Sequence, residues 1–67
     1  MTFYQCCLAI LHDPKADTYA KGYAKAGLGL EHEAWPTQAL YILVNLDHWR
    51  GESAREVKAS LKAIGES

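Results

Sequence analysis

No stretch of this chain approaches the roughly 20 consecutive apolar residues that a membrane-spanning helix requires. Its first residues have neither a basic start nor a long apolar core, so no secretory leader is expected. An excess of one charge is missing too. Seven Lys and Arg stand against eight Asp and Glu, a balance that argues against a strong, non-specific nucleic-acid binder. Cysteine is scarce, and its two copies, Cys6 and Cys7, are adjacent. Neighbouring Cα atoms about 3.8 Å apart cannot meet ordinary disulfide geometry. We expect two small buried hydrophobes in a reducing, cytoplasmic setting and no redox pair. His-Glu-x-x-His and Cys-x-x-Cys spacings are also absent, so no metal site or cofactor is predicted. Without a repeat, a low-complexity tract or a linker, residues 1–67 are expected to form one small domain. A chain of this length buries only about 60% of its unfolded surface, and domains this small commonly lean on a staple or a partner.

The strongest pattern that is present runs from Pro36 to Ile64. Ala39, Ile42, Leu43, Leu46 and Trp49 recur at helical spacing, and Leu40 and Val44 widen the stripe over most of the circumference. Gly51 offers a residue for a left-handed stop, and Ser53 with Glu56 three residues on reads as a capping box that restarts a helix. Ala54, Val57, Leu61 and Ile64 then form a buried face, with Arg55, Lys58 and Lys62 on the solvent side. A helical hairpin follows, over 36–49 and 53–64.

Two further helices are predicted before it. Thr2 and Gln5 resemble a capping box opening a helix over 3–12. FYQCCLAIL is apolar on nearly every side, so this helix calls for burial on nearly every side. A short buried strand competes, because periodicity does not separate the two over so brief a run. Asp13-Pro14 supplies an N-cap and a first-turn proline for a helix over 14–26, with Ala16, Tyr19, Ala20, Tyr23 and Gly27 lining one side. Leu28 and Leu30 are expected beneath the core, and Pro36 should hold Trp35 extended. The prediction is an all-α, compact bundle of about four short helices.

The stretch ALYILVNLDHWRGESAREVKASLK resembles uncharacterised small proteins encoded by bacteriophages and prophages. Their pattern is similar to QALYIL-x-NL-x-x-W-R-G-x-x-A-x-x-V-x-x-x-LK, sometimes preceded by an A-x-A-G-L-x-L element such as Ala24 to Leu30. The resemblance is distinctive in Asn45, Trp49, Arg50 and Gly51. It implies a phage-type origin and a host-cell setting, and it implies no reaction or catalytic residue.

The remaining chemistry is thin. His12, His32 and His48 stand in no ligand spacing, and a core this small rarely encloses a pocket of about 300 Å³; no enzyme is expected. Asn45 interrupts an apolar helix. It hydrogen-bonds a neighbouring connector, fixes the register of a self-association, or joins Tyr41 and His48 on one wet stripe, the favoured reading. Trp49 and Arg50 have a structural account at the hairpin's end and belong to residue types that anchor interfaces. The leading expectation is a non-enzymatic interaction module that binds a host or phage protein. Phe3, Tyr4, Leu8 and Leu11 of the first helix would serve docking or self-association into a homo-oligomer such as a dimer, and Tyr41, Asn45, His48, Trp49 and Arg50 would form a second contact stripe. Small phage proteins often inhibit host machines or CRISPR-type defences, and that analogy extends the expectation. The alternative is a small helix-turn-helix-like DNA-binding regulator using Arg55, Lys58 and Lys62.

Overall fold

Thr2 opens the first helix as its spacing to Gln5 predicts. In the computed structural model, which describes residues 1–67, the Thr2 hydroxyl accepts from the Gln5 N–H at 3.1 Å, and Gln5 Oε1 accepts from the Thr2 N–H at 2.9 Å. That box starts α1 (Phe3–His12). Three more helices follow, α2 (Thr18–Gly27), α3 (Trp35–Val44) and α4 (Glu52–Gly65), with a 3₁₀ turn over His32–Ala34 and no strand. The fold is the all-α bundle expected. Each helix packs on its chain neighbour and α4 closes back on α1, the α3–α4 pair being the most extensive.

Helix α1 buries a single stripe: Phe3, Cys6, Cys7 and Ile10. Leu8, Ala9 and Leu11 are half-buried, and Tyr4 is exposed. Burial on every side is not achieved, because three other short helices cannot surround a fourth. The Phe3 ring stacks on Trp35 at a centroid distance of 5.2 Å. A Cβ at Gly27 would lie 3.0 Å from that ring and 3.3 Å from Cys7 Sγ. Gly27 is therefore the residue that lets α2 press against α1.

Asp13-Pro14 forms a turn and starts no helix. The Ala16 N–H donates to the Asp13 carbonyl at 3.2 Å, with proline in the second position that such a turn favours. Helix α2 begins four residues later than predicted, after Asp17. Its buried face is Ala20, Ala24 and Gly27, continuing from Ala16 in the preceding turn. Tyr19 and Tyr23, expected on that face, are 78% and 40% exposed.

Helix α3 departs from expectation at both ends. Trp35 is helical (φ −59°, ψ −43°) where Pro36 was expected to hold it extended. The 3₁₀ turn feeds into the helix and supplies the preceding backbone. The helix stops at Val44, since Asn45 leaves helical geometry (ψ 13°) and its Nδ2 donates to the Tyr41 carbonyl at 2.8 Å. An amide that satisfies a terminal carbonyl competes with continuing the helix. Leu46 and Trp49 still reach the core from the non-helical segment, both almost fully enclosed. Leu40 and Val44, predicted to widen the buried stripe, are 44% and 66% exposed. Leu30 is exposed as well, whereas Leu28 packs against the core.

Gly51 takes φ 118°, a conformation that side chains resist, and α4 begins directly after it. The Ser53–Glu56 box does not form, and no side chain caps this helix. Ala54, Val57 and Leu61 complete a single cluster of 14 buried hydrophobic residues, with Ile64 partly buried beside it. Gly65 is the last helical residue, one beyond the predicted end at Ile64.

Candidate protein-docking surface

Alanine on the inner face of α2 brings that helix close to the core and turns its larger side chains outward. Tyr19 stands free, and Tyr23 leans over α3 to stack on Tyr41 at 5.8 Å. Gln38 fixes this junction by donating from Nε2 to the Tyr23 carbonyl at 2.8 Å. Val44 is exposed on the last turn of α3, and Leu40 lies at the α4 edge, where a Cβ on Gly65 would meet it. The result is a tyrosine-aliphatic face across α2 and α3. Two shallow concavities flank Tyr19. One, about 360 Å³, is lined by Thr18, Tyr19, Gly22, Tyr23 and Ala26. The other, about 200 Å³, adds Val44, Asn45, His48 and the carboxylates of Asp17 and Asp47.

Gly22 sits in the floor of the first concavity. A Cβ there would meet nothing within 4 Å, so no internal neighbour explains a glycine in mid-helix.

The segment between α3 and α4 is pinned to the rest of the molecule by polar contacts. The Trp49 indole Nε1–H donates to Asp13 Oδ2 at 2.8 Å, and Asp13 Oδ1 accepts from the Lys15 N–H at 2.9 Å. The Lys15 amide first, then the Trp49 indole and the charges of Lys15 and Lys21, hold the Asp13 carboxyl below the usual carboxylate range. Lys58 donates from Nζ to the Trp49 carbonyl at 2.7 Å. His48 Nδ1 lies 3.6 Å from Asp17 Oδ2.

These contacts sort the sequence-predicted site residues. Phe3 and Trp49 are corrected: they are 2% and 1% exposed, interior side chains with no surface to offer. Leu8 and Leu11 are half-buried, leaving Tyr4 as the exposed aromatic of α1. Of Tyr41, Asn45 and His48, only Tyr41 is helical as predicted; Asn45 caps the helix and His48 lies beyond it, the latter two sharing a concavity that Tyr41 does not line. Arg50 is exposed beside Arg55 and Lys58 in a separate concavity of about 280 Å³. The basic stripe is interrupted, because Lys58 is spent on the Trp49 carbonyl while Arg55 and Lys62 stay exposed. Residues 45–51 connect α3 to α4, longer than the turn of three or four residues in a helix-turn-helix.

Sequence reasoning missed Tyr19, Gly22, Tyr23 and Val44 as surface residues. The signal was the Ala20, Ala24, Gly27 spacing: at about 100° per residue these three small residues fall within about 60° of one another, with Tyr23 about 65° and Tyr19 about 105° from their centre.

Other chemistry is sparse. Burial, and then Cys6 beside it, pushes the Cys7 thiol up to about 11, and burial likewise raises Cys6. Both are neutral, poorly nucleophilic thiols near pH 7. No three His, Cys, Asp or Glu side chains gather where they could hold a metal ion, and no helix is long and apolar enough to cross a membrane. Comparison with known proteins returns no matching family model, no similar curated protein and no similar solved structure.

Proposed function

We propose that this chain is a non-enzymatic protein-interaction module whose docking surface is the α2–α3 face. One observation carries the reading: Tyr19, Tyr23, Tyr41 and Val44 are 78%, 40%, 52% and 66% exposed on adjacent helices. Tyrosine is enriched at protein interfaces, where a rigid ring covers much area and loses little entropy on binding. Contiguous exposed apolar surface is also costly for a lone domain in water. The resemblance of the C-terminal hairpin to phage proteins makes the partner a host or phage protein, with inhibition of a host machine or defence system as the biological consequence.

The test is a photo-crosslinking side chain placed at Tyr41 or Val44, and at Lys62 as comparator, in the chain expressed in bacteria. A discrete protein adduct from the first two positions and none from Lys62 is expected. Adducts confined to Lys62, or none at any position, would overturn the docking surface.

A further inference from the structure

Away from the α2–α3 face, positive charge collects at one place. The chain carries seven Lys and Arg, and none of them forms an ion pair with a carboxylate. Three of the seven, Arg50, Arg55 and Lys58, line a single concavity of about 280 Å³ together with Trp49, Gly51 and Ala54. No carboxylate lines it, and no other concavity holds more than one Lys or Arg. Glu52 and Glu56 line the neighbouring hollow, on the far side of Arg55. Gathering like charge around one hollow costs free energy that a bound anion returns.

The hollow is built from the connector and the first two turns of α4. Gly51 turns the chain, so Arg50 ends beside the helix on which Arg55 and Lys58 stand. Lys58 is held in place, since its Nζ donates to the Trp49 carbonyl at 2.7 Å, and two of its three hydrogens remain to give. Ala54 is 2% exposed, yet its N–H has no acceptor in the chain. A donor so enclosed calls for water or a ligand oxygen. Every polar side chain lining the hollow is a donor, and none is an acceptor.

Size and lining narrow the ligand. The volume falls below the about 300–1,000 Å³ of pockets that take drug-sized molecules. Its two hydrophobic residues, Trp49 and Ala54, are both enclosed and offer an organic body little area. A compact oxyanion fits better, and two guanidinium forks match the oxygens of a phosphate in particular. We propose that the concavity at the start of α4 is an anion site that seats one phosphate group between Arg50, Arg55 and Lys58. The group arrives as free phosphate or as the phosphate of a nucleotide. A single seat of this kind does not track a duplex, which takes several phosphate contacts. The site is separate from the α2–α3 face and does not depend on it.

The test is a nuclear magnetic resonance titration of the ¹⁵N-labelled full chain with inorganic phosphate at about 20 mM NaCl, where screening is weak. The Ala54 amide and the Arg50 and Arg55 side chains should shift saturably, with a dissociation constant of about 1 mM or tighter. Arg50→Gln and Arg55→Gln, both at exposed positions, should each weaken binding at least about fivefold, and the double variant should abolish it. Lys62→Gln, outside the concavity, should leave binding unchanged, with circular dichroism showing the helices intact in every variant. Adenosine monophosphate and adenosine separate the sources. Tighter binding of the monophosphate than of inorganic phosphate makes a nucleotide the ligand, and equal binding makes the phosphate group alone what is recognised. Adenosine binding as well as its monophosphate would overturn the proposal. So would the lack of a saturable shift up to about 20 mM phosphate, or a shift that survives the double variant.

Discussion

Three glycines should differ in their response to alanine, and the structure fixes each sign. Gly22 lies inside α2 with open space where a Cβ would go. Alanine there gains helix propensity of about 1 kcal/mol and adds no contact. For a domain of this length that raises the melting temperature by about 4–8 °C. Gly27 is the last residue of the same helix, where alanine gains less than in the interior, and its methyl would meet the Phe3 ring at 3.0 Å and Cys7 Sγ at 3.3 Å. Phe3 is wedged between that methyl and Trp35, so the ring cannot swing away cheaply. Overpacking of this kind costs about 1–3 kcal/mol, and Gly27→Ala should lower stability on balance. At Gly51 space is not the issue, since a Cβ meets nothing there; φ 118° with ψ 178° is. That region is close to glycine-only, and alanine should cost about 1–3 kcal/mol. Thermal and urea unfolding followed by circular dichroism gives all three values. A destabilised Gly22→Ala or a stabilised Gly27→Ala would refute the packing described for α2.

Acid should test the Asp13 contact. A carboxyl held below its unfolded value contributes stability that is present above the usual carboxylate range and lost as pH falls through its lowered folded value; Asp13→Asn should flatten the acid limb of a stability–pH curve, and an unchanged limb would count against the contact. The cysteines give the opposite limb. Their raised folded values mean a contribution that is complete below the ordinary thiol range and lost as pH climbs toward about 11 for Cys7, so Cys7→Ala should reduce the alkaline decline. In native protein at pH 7 a thiol reagent should modify neither cysteine until urea unfolds the chain; rapid labelling would contradict their burial. A labelled duplex at low salt should show no shift, since Lys58 is engaged and the remaining stripe is Arg55 and Lys62; a salt-dependent shift lost in Arg55→Ala would establish the DNA-binding reading instead.

Much of the fold is written locally. The Thr2–Gln5 box and the alternation of α4 depend on side chains three and four residues apart, and α1 and α4 fall where that spacing places them. The errors arise where a local preference meets a long-range one. Asp13 is an apt N-cap in isolation, but its carboxylate is taken by the Trp49 indole from 36 residues away. The pattern of α3 carries through to Trp49 as though helical because Leu46 and Trp49 are buried; non-helical backbone delivers them to the same core. Periodicity registers burial, and burial does not require the helix to continue.

The candidate surface was less legible for a related reason. Hydrophobicity ranks Tyr19 and Tyr23 above Ala20 and Ala24 as area to hide, yet the alanines are inside. The bundle closes through the α1–α2 contact, where the Phe3 ring and Cys7 Sγ leave no room for a Cβ on Gly27. A tyrosine in place of Ala20 or Ala24 would hold those helices apart and open the core that Ile10 and Ile42 fill. Small inner side chains are thus the condition for closing a bundle of four short helices, and rings on the same helix are displaced outward by that condition alone. Exposure of Tyr19 and Tyr23 therefore has a structural cause. Val44 does not share it: it sits on a different helix, at the solvent side of a turn that a polar residue would occupy at no cost to packing. An aliphatic side chain 66% exposed beside Tyr19, together with a glycine that nothing inside the molecule requires, is what packing within the fold leaves unexplained on this face, and the proposed docking surface rests on it.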